Sequence, residues 1–70
     1  MSMVTLTLRA ARVNKGLTIA EAAQRLGVST KTLWLWEHGE RLPNQKYIPS
    51  ICGLYGLAYD DINFLPNDSL

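Results

Sequence analysis

The chain holds one cysteine, Cys52, and one histidine, His38. A disulfide within one chain needs two cysteines and a structural zinc site needs four Cys/His ligands, so neither is expected. Phenylalanine also occurs only once. No apolar run reaches the roughly 20 residues that span a bilayer. The opening Met1-Ser2-Met3-Val4-Thr5 has neither the basic nor the apolar stretch of a secretory signal. The expectation is a cytoplasmic chain with no membrane partner. Paired carboxylates, a Cys/His nucleophile arrangement and a Gly-rich phosphate loop are lacking too. No enzyme, cofactor or metal is therefore expected.

Charge of one sign is likewise scarce: seven Lys/Arg against six Asp/Glu leave a formal net charge of +1. The distribution is uneven. All seven basic residues (Arg9, Arg12, Lys15, Arg25, Lys31, Arg41 and Lys46) fall within residues 1–46, with three acids, Glu21, Glu37 and Glu40, for a balance of +4. Residues 47–70 carry only Asp60, Asp61 and Asp68, for −3. A basic front and an acidic back suit a chain whose first half faces an anionic partner.

Seventy residues, 47% of them hydrophobic, make one globular domain spanning 1–70, with a core at about 6–65 and a tail at 66–70. The helix signals run close together. Thr5 or Thr7 can cap a first helix in which Leu8, Ala11, Arg12 and Lys15 recur at helical spacing, with Gly16 as its left-handed end. The stretch Val4-Thr5-Leu6-Thr7-Leu8 also alternates like a strand, which stands as the alternative. Thr18-Ile19-Ala20-Glu21 reads as a capping box opening a second helix, whose Ala22, Ala23 and Leu26 share a face and whose end is Gly27. Ser29 caps a third helix, with Leu33 and Trp36 pointing inward and Gly39 at its end. The turn Gly27-Val28-Ser29 is short enough to set helices two and three at a steep angle. Residues 40–44 read as a loop. A fourth helix is expected at about 48–55 with Pro49 in its first turn, and a fifth at about 59–65, with Asp60 and Asp61 at its start and Leu57, Ile62 and Leu65 closing the core.

The stretch from Arg12 to Gly39 resembles the phage Cro/repressor helix-turn-helix family, also called the XRE family. The matching pieces are Gly16-Leu17-Thr18, the small Ala23, the turn Leu26-Gly27-Val28-Ser29, the ending Trp36-Glu37-His38-Gly39, and then Arg41 and Pro43. The resemblance covers about residues 6–65. It implies an all-α, five-helix, lambda-repressor-like domain whose helices two and three form the motif. It also implies double-stranded operator DNA as partner and a homodimer on a two-fold site. At this length the chain resembles a Cro-like regulator more than a repressor with a second domain.

In such a motif the third helix enters the major groove and its first residues meet base edges. By position, Thr30, Lys31 and Trp34 are the base-facing candidates. Thr18, at the start of helix two, and Arg41, after helix three, are phosphate candidates, with Arg9 and Lys46 as looser ones. The face so defined comprises Thr18, Ile19, Ser29, Thr30, Lys31, Trp34, Leu35 and Arg41. Each has a plainer reading: Thr18 and Ser29 are caps in any case, and a lone lysine is most often a solvated charge. Trp36 is expected in the core, Cys52 as a small buried hydrophobe, and His38 on the surface near a helix end. The resemblance further implies a partly buried ion pair between Arg12 and Glu37.

Some residues depart from the family pattern. Ile19, Trp34 and Leu35 stand where polar readers are common, and Glu40 stands where lysine is frequent. An exposed apolar Ile19-Trp34-Leu35 patch would fit a protein partner as well as a groove. The alternative function is thus an antirepressor or modulator that docks on a phage repressor through the same face.

Overall fold

The computed structural model describes residues 5–64. The expectations at Met1 to Val4, at Leu65 and for the tail at 66–70 lie outside the described residues. Four α-helices are present among those described: α1 (Leu8–Asn14), α2 (Ile19–Leu26), α3 (Thr30–Glu37) and α4 (Ile48–Tyr55). Two short strands, β1 (Leu6–Thr7) and β2 (Ile62–Asn63), pair in parallel with Leu6 opposite Ile62 and Thr7 opposite Asn63.

Each helix begins and ends where its side chains can satisfy the open backbone groups. The Thr7 hydroxyl accepts from the Ala10 N–H at 3.0 Å and starts α1. The Leu6–Thr7 stretch is therefore both strand and cap, and the two readings of residues 4–8 divide at Thr7. At the other end of α1, Gly16 takes φ +77, its N–H reaches the Val13 carbonyl at 2.9 Å, and the Leu17 N–H reaches Arg12 at 3.2 Å. This is the six-to-one and five-to-two closure that only a left-handed residue permits, which is why glycine stands there. Gly27 closes α2 in the same way at φ +75, with the Val28 N–H on the Ala23 carbonyl at 3.0 Å. Three residues then separate α2 from α3, as the sequence spacing predicts.

The core draws on all four helices and on β2. Leu8 and Ala11 come from α1, Ala22, Ala23 and Leu26 from α2, Leu33 and Trp36 from α3, Ile51 and Tyr55 from α4, and Ile62 from β2. Two adjacent alanines on α2, both fully buried, let that helix approach its neighbours closely. Trp36 also leans on Tyr47, with ring centroids 5.3 Å apart. Cys52 is half-buried and packs against the core edge.

The expected fifth helix is absent among the described residues. Tyr59–Asp61 makes a single 3-10 turn and the chain then extends into β2. The reason is local. The Asp61 carboxylate accepts from the Ala58 N–H at 3.2 Å while the Asp61 N–H reaches the Ala58 carbonyl at 2.9 Å, which completes a closed turn. Short acidic side chains favour such turns over continued helix. The β-branched Ile62 follows with φ −115 and ψ 129 and finds a backbone partner in β1. A second 3-10 turn, Gln45–Tyr47, lies in the stretch leading to α4, and the Asn44 side chain caps it by accepting from the Lys46 N–H at 3.0 Å. Among the described residues no helix is long and apolar enough to cross a membrane.

Arg12 and Glu37 meet as the resemblance implies. Arg12 Nε donates to Glu37 Oε2 at 2.7 Å and Nη2 donates to Oε1 at 3.1 Å. The third guanidinium nitrogen, Nη1, donates to the Leu17 carbonyl at 3.0 Å. The side chains are 12% and 1% exposed. The hydrogen bonding of Arg12 to the Glu37 carboxylate raises the Arg12 pKa, against the lowering effect of burial. Arg12→Ala strands the Glu37 carboxylate in the interior and is expected to cost about 3–5 kcal/mol. For a domain of this size that lowers the melting temperature by more than about 12 °C. Replacing both residues together (Arg12→Met with Glu37→Leu) recovers most of the loss. Thermal denaturation of the three proteins by circular dichroism checks the pair, and an unchanged melting temperature for Arg12→Ala would refute it.

Tyr55 packs beside this pair, and its hydroxyl is buried with no hydrogen-bond partner among the described residues. Burial, with a smaller contribution from the Glu37 charge, pushes its pKa up to about 12 from 10.0. The folded state therefore keeps a proton that the unfolded chain releases, so stability is full below pH 10 and falls as pH rises towards 12. Tyr55→Phe removes an unpaired buried hydroxyl. It is expected to leave stability at pH 7 unchanged or higher and to flatten the decline between pH 10 and 12. Denaturant titrations at pH 7, 10 and 11.5 measure both effects.

Candidate nucleic-acid interface

The candidate face is built on the turn between α2 and α3 and is positioned by the core beneath it. Leu33 and Trp36 bury the inner side of α3 and the Arg12–Glu37 pair secures its last turn. The outer side is thereby left to Thr30, Lys31 and Trp34, all exposed. Ser29 caps α3: its hydroxyl oxygen accepts from the Thr32 N–H at 3.0 Å and its O–H lies 2.9 Å from Thr32 Oγ1.

At the start of α2 the capping box is complete. The Thr18 hydroxyl accepts from the Glu21 N–H at 3.1 Å and the Glu21 carboxylate accepts from the Thr18 N–H at 2.8 Å. That backbone bond, with the Thr18 hydroxyl as a second contribution, lowers the Glu21 pKa. Two of the N–H groups at this helix end are thus already committed, and an acidic side chain lies beside them. The Thr18 side chain is exposed to solvent. Arg41 is exposed in the segment after α3, where its N–H reaches the Leu35 carbonyl at 3.3 Å. Arg9 and Lys46 are also exposed, and Lys46 Nζ lies 5.3 Å from the centre of the Tyr47 ring.

The apolar patch expected from Ile19, Trp34 and Leu35 is smaller than the sequence implies. Ile19 is half-buried and packs against the core, and Leu35 is half-buried. Of the three, only Trp34 is exposed, at 44%. Ile19, the first residue of α2, reaches the core edge, which its position in the sequence does not convey.

Sequence reasoning placed His38 on the surface but missed what it touches. Its imidazole stacks on the Trp34 indole with centroids 3.8 Å apart and planes 19° from parallel. Its Nδ1 lies 2.9 Å from the Trp34 carbonyl oxygen. The i, i+4 spacing of an aromatic pair on one helix was the available signal.

Two helices, α2 and α3, joined by a three-residue turn define the class: a helix-turn-helix domain, the architecture that sets a recognition helix in a DNA groove. A family model described as a helix-turn-helix domain matches residues 5–65, and the chain belongs to that family. No curated protein and no solved structure matches it.

The Thr18 cap can be weighed directly. Thr18→Ala removes the acceptor for the Glu21 N–H and is expected to cost about 1 kcal/mol, typical of a lost N-cap. Urea denaturation measures it, and a loss below about 0.3 kcal/mol would show that the cap contributes little.

Proposed function

We propose that the protein is a sequence-specific, double-stranded DNA-binding regulator of transcription, Cro-like, that acts in a phage or prophage switch. The observation that carries this reading is the exposed α3 surface, where Thr30 and Lys31 occupy the first turn directly after the Ser29 cap. In that position Lys31 donates to guanine O6 and N7, and Thr30 meets a base edge or a thymine methyl. Arg41 contacts a phosphate beyond the end of α3, and the Thr18 hydroxyl donates to a phosphate before α2. Arg9 and Lys46 add weaker backbone contacts. The protein acts by binding in the cytoplasm and catalyses nothing.

A homodimer suits a two-fold operator. A groove of about 480 Å³ lies between Leu42, Pro43, Gln45, Ile48 and Pro49 on one side and Tyr59 and Phe64 on the other. Leu42 and Tyr59 are 58% and 60% exposed. Exposed Lys46 adjoins one wall in sequence and exposed Asp60 and Asp61 adjoin the other, charges of opposite sign that suit a second copy. A second copy is the occupant we assign to it. Tyr59→Glu is expected to convert a sedimenting dimer to a monomer. A wild-type protein that sediments as a monomer at operator-binding concentrations overturns this assignment.

The competing reading, an antirepressor that captures a phage repressor through the α3 face, draws on the exposure of Trp34. Salt separates the two. For DNA, log affinity falls steeply with log salt. Lys31→Ala is expected to weaken a selected duplex by about 1–3 kcal/mol, and Arg41→Ala to reduce the salt slope by about 1. Fluorescence anisotropy on duplexes enriched from a random pool measures both. Absence of duplex binding at low salt, with tight repressor capture lost on Trp34→Ala, would favour the antirepressor.

A further inference from the structure

Trp34 is exposed but held. His38, one turn further along α3, covers one face of the indole at 3.8 Å while its Nδ1 lies 2.9 Å from the Trp34 carbonyl oxygen. That carbonyl also accepts the His38 backbone N–H at 3.0 Å, so a single oxygen anchors both the backbone and the ring of His38. The imidazole is thus fixed at its edge, and its flat side pins the indole. Even so, Trp34 is 44% exposed. Two stacked rings are too thick to slot between base pairs, so insertion into the base stack is excluded.

What remains is contact with base edges. An indole has one N–H donor and no acceptor, so it cannot make the bidentate pairs that read guanine or adenine. The apolar group on base edges in the major groove is the C5-methyl of thymine. The surroundings favour DNA over a protein for this surface. The exposed apolar area is a single side chain, because Ile19 packs inward and Leu35 is half-buried. Lys31 lies one turn before it on the same side of α3 and Arg41 follows the helix, both cationic and exposed, and together they outweigh the one exposed acid next to Arg41, Glu40. A polyanion is complementary to that setting.

Building on the DNA-binding reading above, we propose that Trp34 reads the C5-methyl group of a pyrimidine in the major groove and that His38 is the positioning residue that holds the indole in place for it. The ligand class is a C5-methylated pyrimidine: thymine, and equally 5-methylcytosine. Selection among bases at this position then depends on the methyl group and not on a hydrogen bond.

The test uses duplexes enriched by the wild-type protein from a randomised pool, with deoxyuridine replacing each thymine in turn. At one thymine per bound domain, the replacement is expected to weaken wild-type binding about fourfold, the effect of one buried methyl group. Trp34→Ala is expected to bind the thymine and uracil duplexes equally. His38→Ala is expected to bring the thymine-to-uracil ratio towards one without weakening the uracil duplex, and His38→Phe, which keeps a ring on the indole, to restore the ratio. Each variant is compared with itself on two duplexes, so a change in folded fraction cancels. If every uracil duplex binds the wild type as tightly as its parent, the methyl reading is overturned while DNA binding stands. If no duplex is enriched at low salt, both fall.

Discussion

The bidentate contact between Arg12 and Glu37 is the constraint on which the rest of the domain depends. Glu37 ends α3, where the helix dipole is negative and a carboxylate is unfavourable, and it is buried there. Only a close cation makes that placement tolerable. Arg12 lies in the last turn of α1, where a cation is favoured, and its planar guanidinium matches the carboxylate with two parallel N–H donors. Its remaining nitrogen reaches the Leu17 carbonyl, in the segment that leads into α2. One side chain thereby ties α1, the entry to α2 and the end of α3 together. The orientation of the outer face of α3 follows from this junction and from Leu33 and Trp36 beneath it.

Helices α1 to α4 were legible because their ends are written in local chemistry. Thr7, Thr18 and Ser29 each accept a backbone N–H three residues on, and Gly16, Gly27 and Gly56 take the left-handed conformation that stops each run. These are interactions within about a turn of chain, so a reading of neighbouring residues finds them. The end of the described chain was misread because its outcome is not local. Asp60 and Asp61 favour a helix start, but Asp61 closes on Ala58 instead, and Ile62 pairs with Leu6, far away in sequence. No periodicity in residues 59–64 announces a partner at residue 6.

The candidate face was legible by position and less so by exposure. Thr30, Lys31, Trp34 and Arg41 are on the surface as expected, while Ile19 and Leu35 turn partly inward. How far an apolar residue on a helix flank is covered depends on how neighbouring elements pack against it, which spacing alone does not specify. The Glu21 carboxylate at the start of α2 is a second subtlety. The residue that makes the capping box places a negative charge beside the anion-favouring end of the same helix. Stability of α2 and attraction of a phosphate there are in partial conflict, which shifts the electrostatic weight of the face towards Lys31 and Arg41.

The parallel pairing of β1 with β2 also determines how the domain bears mechanical load. Tension applied through Thr5 and Phe64 pulls one strand from its N-terminal side and the other from its C-terminal side. In a parallel pair these lie at opposite ends, so the load shears the ladder and its hydrogen bonds must yield together instead of unzipping one by one. The strands are only two residues each, so the barrier is small, but it stands ahead of the helices. Under traction the ladder is the first joint to give, and because Thr7 also caps α1, its rupture frees the first turn of that helix while the Arg12 junction still holds the remainder together.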